Sequence, residues 1–131
     1  MTSLSQILER KEQRRRRLEQ NLPHVVEQLR ALGALKLILF GSFARGDIGR
    51  SSDLDIIAVM PASLSSHDWT RKIYAEVDRG TGCDILAYSE ADWQEMLPQS
   101  RFLRHALKEG KVLYETASTA RGAALADPGE G

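Results

Sequence analysis

The sequence predicts an α/β domain (α+β in the broader sense) with a short, mixed, largely buried sheet flanked by helices, and three observations lead to this prediction. Segments with apolar residues at helical spacing alternate with short apolar runs. The apolar runs are bounded by Gly, Pro or Asp, where turns are expected. The hydrophobic fraction, 42% of 131 residues, is enough for the modest core of one domain.

The N-terminal region, residues 4–32, is predicted to be helical. Its first part, residues 4–20, is strongly charged with a few apolar side chains, and apolar residues then recur at helical spacing up to residue 32. Pro23 either opens a second helix or kinks one long helix. Gly33 is expected to end the helical region.

The rest of the chain is predicted to alternate between strands and helices, followed by a tail. The second strand is wholly apolar after its first residues, so it is expected to lie in the centre of the sheet. Residues 116–131 are rich in small and polar residues and are predicted to be a disordered tail, which leaves a single domain over residues 1–115. The predicted strands are 35–40, 54–60, 83–88 and an edge strand at 112–114, and the predicted helices are 66–79, 90–97 and 99–109.

Charge and cysteine content narrow the possible functions. The 18 basic and 18 acidic residues give a net charge of zero, so bulk charge does not favour direct nucleic-acid binding. No apolar run approaches the ~20 residues of a membrane span, and no membrane association is expected. The single cysteine, Cys83, excludes an intrachain disulfide, and Cys/His zinc spacing is absent. We therefore expect a cytoplasmic protein.

Three aspartates are the candidate metal ligands and catalytic residues. Asp53 and Asp55 are two residues apart at the start of the second strand, so they share a face roughly 6.6 Å apart along the backbone. Two carboxylates on one face repel each other unless a cation lies between them. Asp84 opens the third strand, and if the two strands are neighbours the three carboxylates converge. The alternative is that these aspartates only form turns at strand ends.

Carboxylates grouped in this way suit one or two Mg²⁺ ions that also contact phosphate oxygens. In this interpretation Asp53 and Asp55 hold the metal against a nucleoside triphosphate. Asp84 either binds a second metal ion or takes the proton from an acceptor hydroxyl.

The turn before these aspartates is a candidate phosphate-binding loop. Gly41 allows a ligand to approach the backbone closely, and Ser42 can donate its hydroxyl to a phosphate oxygen. Arg45 is placed either to reach a phosphate or to pair with Asp47. The sequence contains neither the Walker-type phosphate-binding loop nor the dinucleotide-binding glycine fingerprint.

Gly41-Ser42, followed after ten residues by Asp53-Leu54-Asp55, resembles the signature of the DNA polymerase β-like nucleotidyltransferases. Asp84 matches the third carboxylate of that family. The Gly-Ser-Phe-Ala-Arg-Gly string at 41–46 and the segment 107–115 resemble its small branch, the minimal nucleotidyltransferases.

This resemblance implies transfer of a nucleoside monophosphate, AMP from ATP being the expected case, to a hydroxyl in an Mg²⁺-dependent reaction that releases pyrophosphate. It also implies a partner, because minimal members often act as antitoxins that add AMP to a tyrosine of an all-helical HEPN-domain ribonuclease. It assigns triphosphate binding to Gly41 and Ser42, metal binding to Asp53 and Asp55, and acceptor deprotonation to Asp84.

Three alternatives remain open at this stage. The chain could be a binding module that neutralises such a partner by occlusion, or it could modify a small molecule. It could also form a homo-oligomer that completes the site.

A basic cluster of Arg10, Lys11 and residues 14–17 either contacts RNA or an acidic partner, or is a solvated helix face.

Overall fold

A computed structural model of the protein describes residues 3–41, 54–80 and 82–116. The described residues form one mixed sheet with strand order β3-β2-β1-β4, in which β1 pairs antiparallel with β2 and β4, and β2 pairs parallel with β3. The elements are α1 (Leu4–Ala31), β1 (Lys36–Phe40), β2 (Leu54–Met60), α2 (Ser66–Glu76), β3 (Cys83–Ser89), α3 (Glu90–Met96), α4 (Arg101–Glu109) and β4 (Lys111–Glu115).

Helix α1 is one continuous helix of 28 residues that includes Pro23. Its N-terminus is fixed by a capping box, in which the Ser3 hydroxyl accepts from the Gln6 backbone N–H and the Gln6 side chain accepts from the Ser3 N–H. Gly33 follows its end with φ +106°, a conformation that glycine adopts without strain. Of the two possibilities that Pro23 leaves open, the chain therefore takes the single helix.

The core lies on both faces of the sheet. Helices α1 and α2 cover one face, where Leu29, Leu37 and Ile56 belong to the larger apolar cluster. Helices α3 and α4 cover the other face, where Ile57 and Leu103 belong to the smaller cluster. Alternate residues of β2 enter the two clusters, so this strand is the buried centre of the fold, as its apolar sequence predicts.

The turn before β3 is tied to α1 by side-chain hydrogen bonds. Gln28 donates to the Asp78 carbonyl (2.8 Å) and Asn21 donates to the Arg79 carbonyl (2.7 Å). A hydrogen bond from the Gly80 N–H, and then a side-chain contact with His24, hold the pKa of Asp78 below its usual value. Cys83, which begins β3 directly after this turn, is buried with 4% of its surface exposed.

The predicted fold class is confirmed, and the element boundaries differ by a few residues at most. The predicted helix 66–79 ends at Glu76, because the chain becomes extended at Val77. The predicted edge strand 112–114 extends over Lys111–Glu115 and pairs with β1. The predicted tail lies outside the described residues apart from Thr116, and the single domain over residues 1–115 stays a prediction.

Within the described parts of the chain, none of the helices combines the length and hydrophobicity that crossing a bilayer requires.

The two halves of α1 are expected to differ in their contribution to stability. Leu29 is fully buried, whereas Leu8 is 56% exposed. Leu29→Ala should lower the free energy of unfolding by about 2–5 kcal/mol because it leaves a cavity in the core. Leu8→Ala should change it by less than about 0.5 kcal/mol. Urea denaturation followed by circular dichroism measures both, and equal losses would show that the N-terminal half of α1 is also packed.

Candidate active site

The structure describes three of the six predicted site residues. Gly41, Asp55 and Asp84 lie within the described ranges, whereas Ser42, Arg45 and Asp53 lie outside them. The three described residues come from three adjacent strand ends, because β1 ends at Phe40 and both β2 and β3 begin at the same edge of the sheet.

Asp55 and Asp84 are direct neighbours across the parallel pair of β2 and β3. Residues opposite each other in a sheet project from the same face, and adjacent strands are about 4.8 Å apart. Asp84 is exposed and Asp55 is half-buried, so the pair faces an opening at the edge of the sheet. The Leu54 N–H donates to the Gly82 carbonyl (2.7 Å), which fixes the starts of the two strands to each other.

Gly41 lies directly against the Asp55 carboxylate. It follows Phe40, which pairs with Asp55 across the antiparallel strands, and it has φ +84°. A Cβ atom added at Gly41 would lie 2.6 Å from Oδ2 of Asp55, closer than such atoms approach in proteins. A glycine is therefore required here for two reasons, the backbone conformation and the space that the carboxylate occupies.

The pair of carboxylates is suited to a hard divalent cation. Two carboxylates on neighbouring strand ends can both contact a cation that lies between them. Oxygen ligands of this kind fit Mg²⁺, which takes one or two carboxylates and completes its shell with water and phosphate oxygens. Among the described residues, no group of three or more His, Cys, Asp or Glu side chains could hold a metal ion, and the third predicted ligand, Asp53, lies outside them.

A surface cavity of about 240 Å³ adjoins the site between Gly41 and α4. Phe102 contributes one wall, and its ring meets Phe40 edge-to-face with centroids 5.5 Å apart. His105 and Glu109, one turn apart on α4, also line it. The sequence alone does not indicate this cavity, because only the packing of α4 against β1 brings these residues beside Gly41.

The sheet and the edge that carries Gly41, Asp55 and Asp84 define an α/β protein with a two-carboxylate site. The family model described as "Polymerase beta, Nucleotidyltransferase" matches residues 25–119. These include all six predicted site residues and most of the chain. The chain therefore belongs to the polymerase β nucleotidyltransferase family, which confirms the resemblance seen in its sequence, and it is a nucleotidyltransferase.

A curated protein and two solved structures are similar to this chain. The Methanocaldococcus jannaschii protein named "Putative protein adenylyltransferase MJ0604" is 36% identical over 80 residues, which are 60% of this chain and 77% of that protein. The crystal structure of a "putative nucleotidyltransferase" from Sulfolobus solfataricus has a TM-score of 0.55 at 20% identity, over 80% of this chain and 86% of that one. It shares the fold. A toxin–antitoxin crystal structure with AMP-PNP matches with a TM-score of 0.48 at 22% identity, over 73% of this chain and 74% of that one.

Gly41→Ala is expected to lower the free energy of unfolding more than Gly33→Ala does. Gly33 also has a positive φ, but a Cβ added there would lie 3.5 Å from Pro61, an ordinary contact. Both substitutions should cost about 1–2 kcal/mol for backbone conformation. Gly41→Ala should cost roughly 1 kcal/mol more, because the methyl group displaces the Asp55 carboxylate.

Chemical denaturation of the two variants, side by side, measures this difference. Equal losses for Gly33→Ala and Gly41→Ala would contradict the close approach of Gly41 to Asp55.

Proposed function

We propose that the protein is an Mg²⁺-dependent adenylyltransferase that transfers AMP from ATP to a hydroxyl group, expected to be a tyrosine of a HEPN-domain partner, and thereby acts as an antitoxin. The observation that carries the proposal is the in-register pairing of Asp55 with Asp84 at the sheet edge that Gly41 closes. The family assignment supplies the reaction class, and the name of the M. jannaschii relative favours an adenylyl group and a protein acceptor.

In the proposed reaction, the residues at this edge of the sheet would have different roles. The acceptor oxygen forms a bond to the α-phosphorus of ATP, the bond from that phosphorus to the bridging oxygen breaks, and pyrophosphate leaves. Asp55, held against Gly41, would hold Mg²⁺ together with Asp53. Asp84 is the more exposed carboxylate, so it would meet the incoming hydroxyl and accept its proton, or hold a second metal ion.

Mg²⁺, when bound, would neutralise the charge of the triphosphate and stabilise the charge that develops on it. The sequence assigns contacts with the triphosphate to Gly41, Ser42 and Arg45. The reaction needs ATP, so the proposal places it in the cytoplasm.

The acceptor is proposed to be a protein because the M. jannaschii relative is named as a putative protein adenylyltransferase. An acceptor tyrosine on another chain would approach the open side of the site next to Asp84, which is exposed.

One experiment separates the catalytic residues from structural ones. The protein is incubated with α-labelled ATP, Mg²⁺ and a candidate HEPN chain, and label on the partner is quantified. Asp55→Asn and Asp84→Asn should each lower transfer by about 100-fold or more, because each removes a metal ligand or a proton acceptor. Asp68→Asn, an exposed aspartate in the first turn of α2, is the matched control and should retain full transfer. EDTA should abolish transfer, and Mg²⁺ should restore it.

Absence of transfer by the unaltered protein would reject the catalytic proposal, and so would transfer by Asp55→Asn and Asp84→Asn at the level of the unaltered protein.

A second candidate is neutralisation of the partner by occlusion, without transfer. The exposed apolar residues near the N-terminus of α1, Leu4 at 71% and Leu8 at 56%, favour a binding role. If the Asp55→Asn/Asp84→Asn double variant protects cells from the partner as well as the unaltered chain does, occlusion explains the activity better than transfer.

A further inference from the structure

The first half of α1, Leu4–Arg17, extends beyond the body of the protein. None of these residues is buried, and only Arg14 is half-buried. The first buried residue of the helix is Leu18. At 1.5 Å per residue, this segment is about 21 Å long. We call it the α1 extension.

The α1 extension carries an apolar stripe that no other part of the described structure covers. Leu4, Ile7 and Leu8 are 71%, 41% and 56% exposed. At 100° per residue they lie on the same side of the helix as Leu18 and Leu29, which pack into the core. The stripe that binds α1 to the sheet thus continues past the sheet and remains exposed.

The α1 extension is basic, and cationic side chains lie along its apolar stripe. The segment contains six Lys or Arg and two Glu, a net charge of +4. By the same helical spacing, Lys11, Arg14 and Arg15 lie within the stripe or beside it. Glu9 lies on the opposite side, and Glu12, which pairs with Arg16 at 3.4 Å, lies on the flank of the helix outside the stripe. A partner that covers the stripe therefore meets mainly apolar and cationic groups.

The α1 extension projects past the edge of the sheet that carries the candidate site. Arg14 and Arg17 line a cavity of about 220 Å³ together with Leu18 and Gly82. Gly82 is two residues before Asp84 and accepts the hydrogen bond from Leu54 at the start of β2. The other end of α1 leads to Gly33, which lies near Pro61 beyond the far end of β2. A molecule bound to the α1 extension is therefore held beside the strand ends of Asp55 and Asp84.

We propose that the α1 extension is the docking surface for an acidic amphipathic helix of the acceptor protein, with apolar residues on the stripe and carboxylates facing Lys11. The proposal rests on the proposed function, because it takes the docked chain to be the one that receives AMP. Charge complementarity selects this occupant. A second copy of the extension would bring two segments of net charge +4 together, and a nucleic-acid backbone would leave the aliphatic stripe uncovered.

A binding measurement without ATP or metal tests docking independently of catalysis. The probe is a fluorescein-labelled helical peptide of about 21 residues with Leu at heptad positions a and d and Glu at e and g. Its counterpart with Lys in place of Glu, and a single-stranded oligouridylate, are the comparison probes. Anisotropy titration with the full chain should show binding of the Glu peptide that weakens with salt, and binding at least about tenfold weaker for both comparison probes.

Matched substitutions locate the binding surface. Lys11→Glu places a carboxylate within the stripe, whereas Arg16→Glu makes the same charge change on the opposite side of the same helix. Lys11→Glu should weaken binding of the Glu peptide by roughly fivefold or more, and Arg16→Glu should change it by less than about twofold. Far-UV circular dichroism confirms that both variants retain their helix content.

Equal effects of the two substitutions, preference for the oligouridylate, or no binding of any probe would overturn the proposal. Sedimentation equilibrium supplies a further test. If the unaltered chain forms a dimer and Leu8→Ser is monomeric, the α1 extension binds a second copy of this chain, which would also overturn the proposal. A positive binding result with no AMP transfer would retain the docking surface and reject the catalytic function, so the two failures are distinguishable.

Discussion

The parallel, in-register pairing of β2 with β3 is the constraint on which the rest of the site depends. It is what makes Asp55 and Asp84 neighbours, since each is the second residue of its strand. Because side chains alternate between faces, a slip of one residue would turn Asp55 into the larger apolar cluster. Burial of the rest of β2 on both faces opposes such a slip, since it would exchange residues between two different packed clusters.

The same pairing explains why the edge can hold charge. The carboxylates lie at the beginning of their strands, where the chain emerges from the core, and the positions further along β2 are apolar. Gly41 contributes because it has no side chain, and the Asp55 carboxylate occupies the space that a Cβ atom at this position would need. A site built in this way places two like charges close together at the protein surface, where a cation can reach them.

Much of this arrangement could be predicted from sequence because its signals are local. Apolar runs bounded by Gly, Pro and Asp predicted the strands, and Asp84 at the start of the third strand predicted that the carboxylates would converge if the second and third strands were neighbours. The course of α1 at Pro23 could not be decided, because proline is compatible with either a break or a long helix. Helix packing decides it, since Leu18 and Leu29, on either side of Pro23, both join the same apolar cluster. The cavity at Phe102 and His105 also needed the tertiary arrangement, because nothing in the spacing of α4 points to β1. Ser42, Arg45 and Asp53 remain predictions.

Cys83 gives the site an intrinsic chemical reporter. It is the only thiol in the chain, it is buried, and it precedes Asp84 directly on β3. A thiol-reactive reagent can reach it only when the start of that strand separates from its neighbours, so the rate of alkylation measures how often this edge opens. No residue has to be replaced for such a measurement. A ligand that holds this edge closed would slow the alkylation of Cys83.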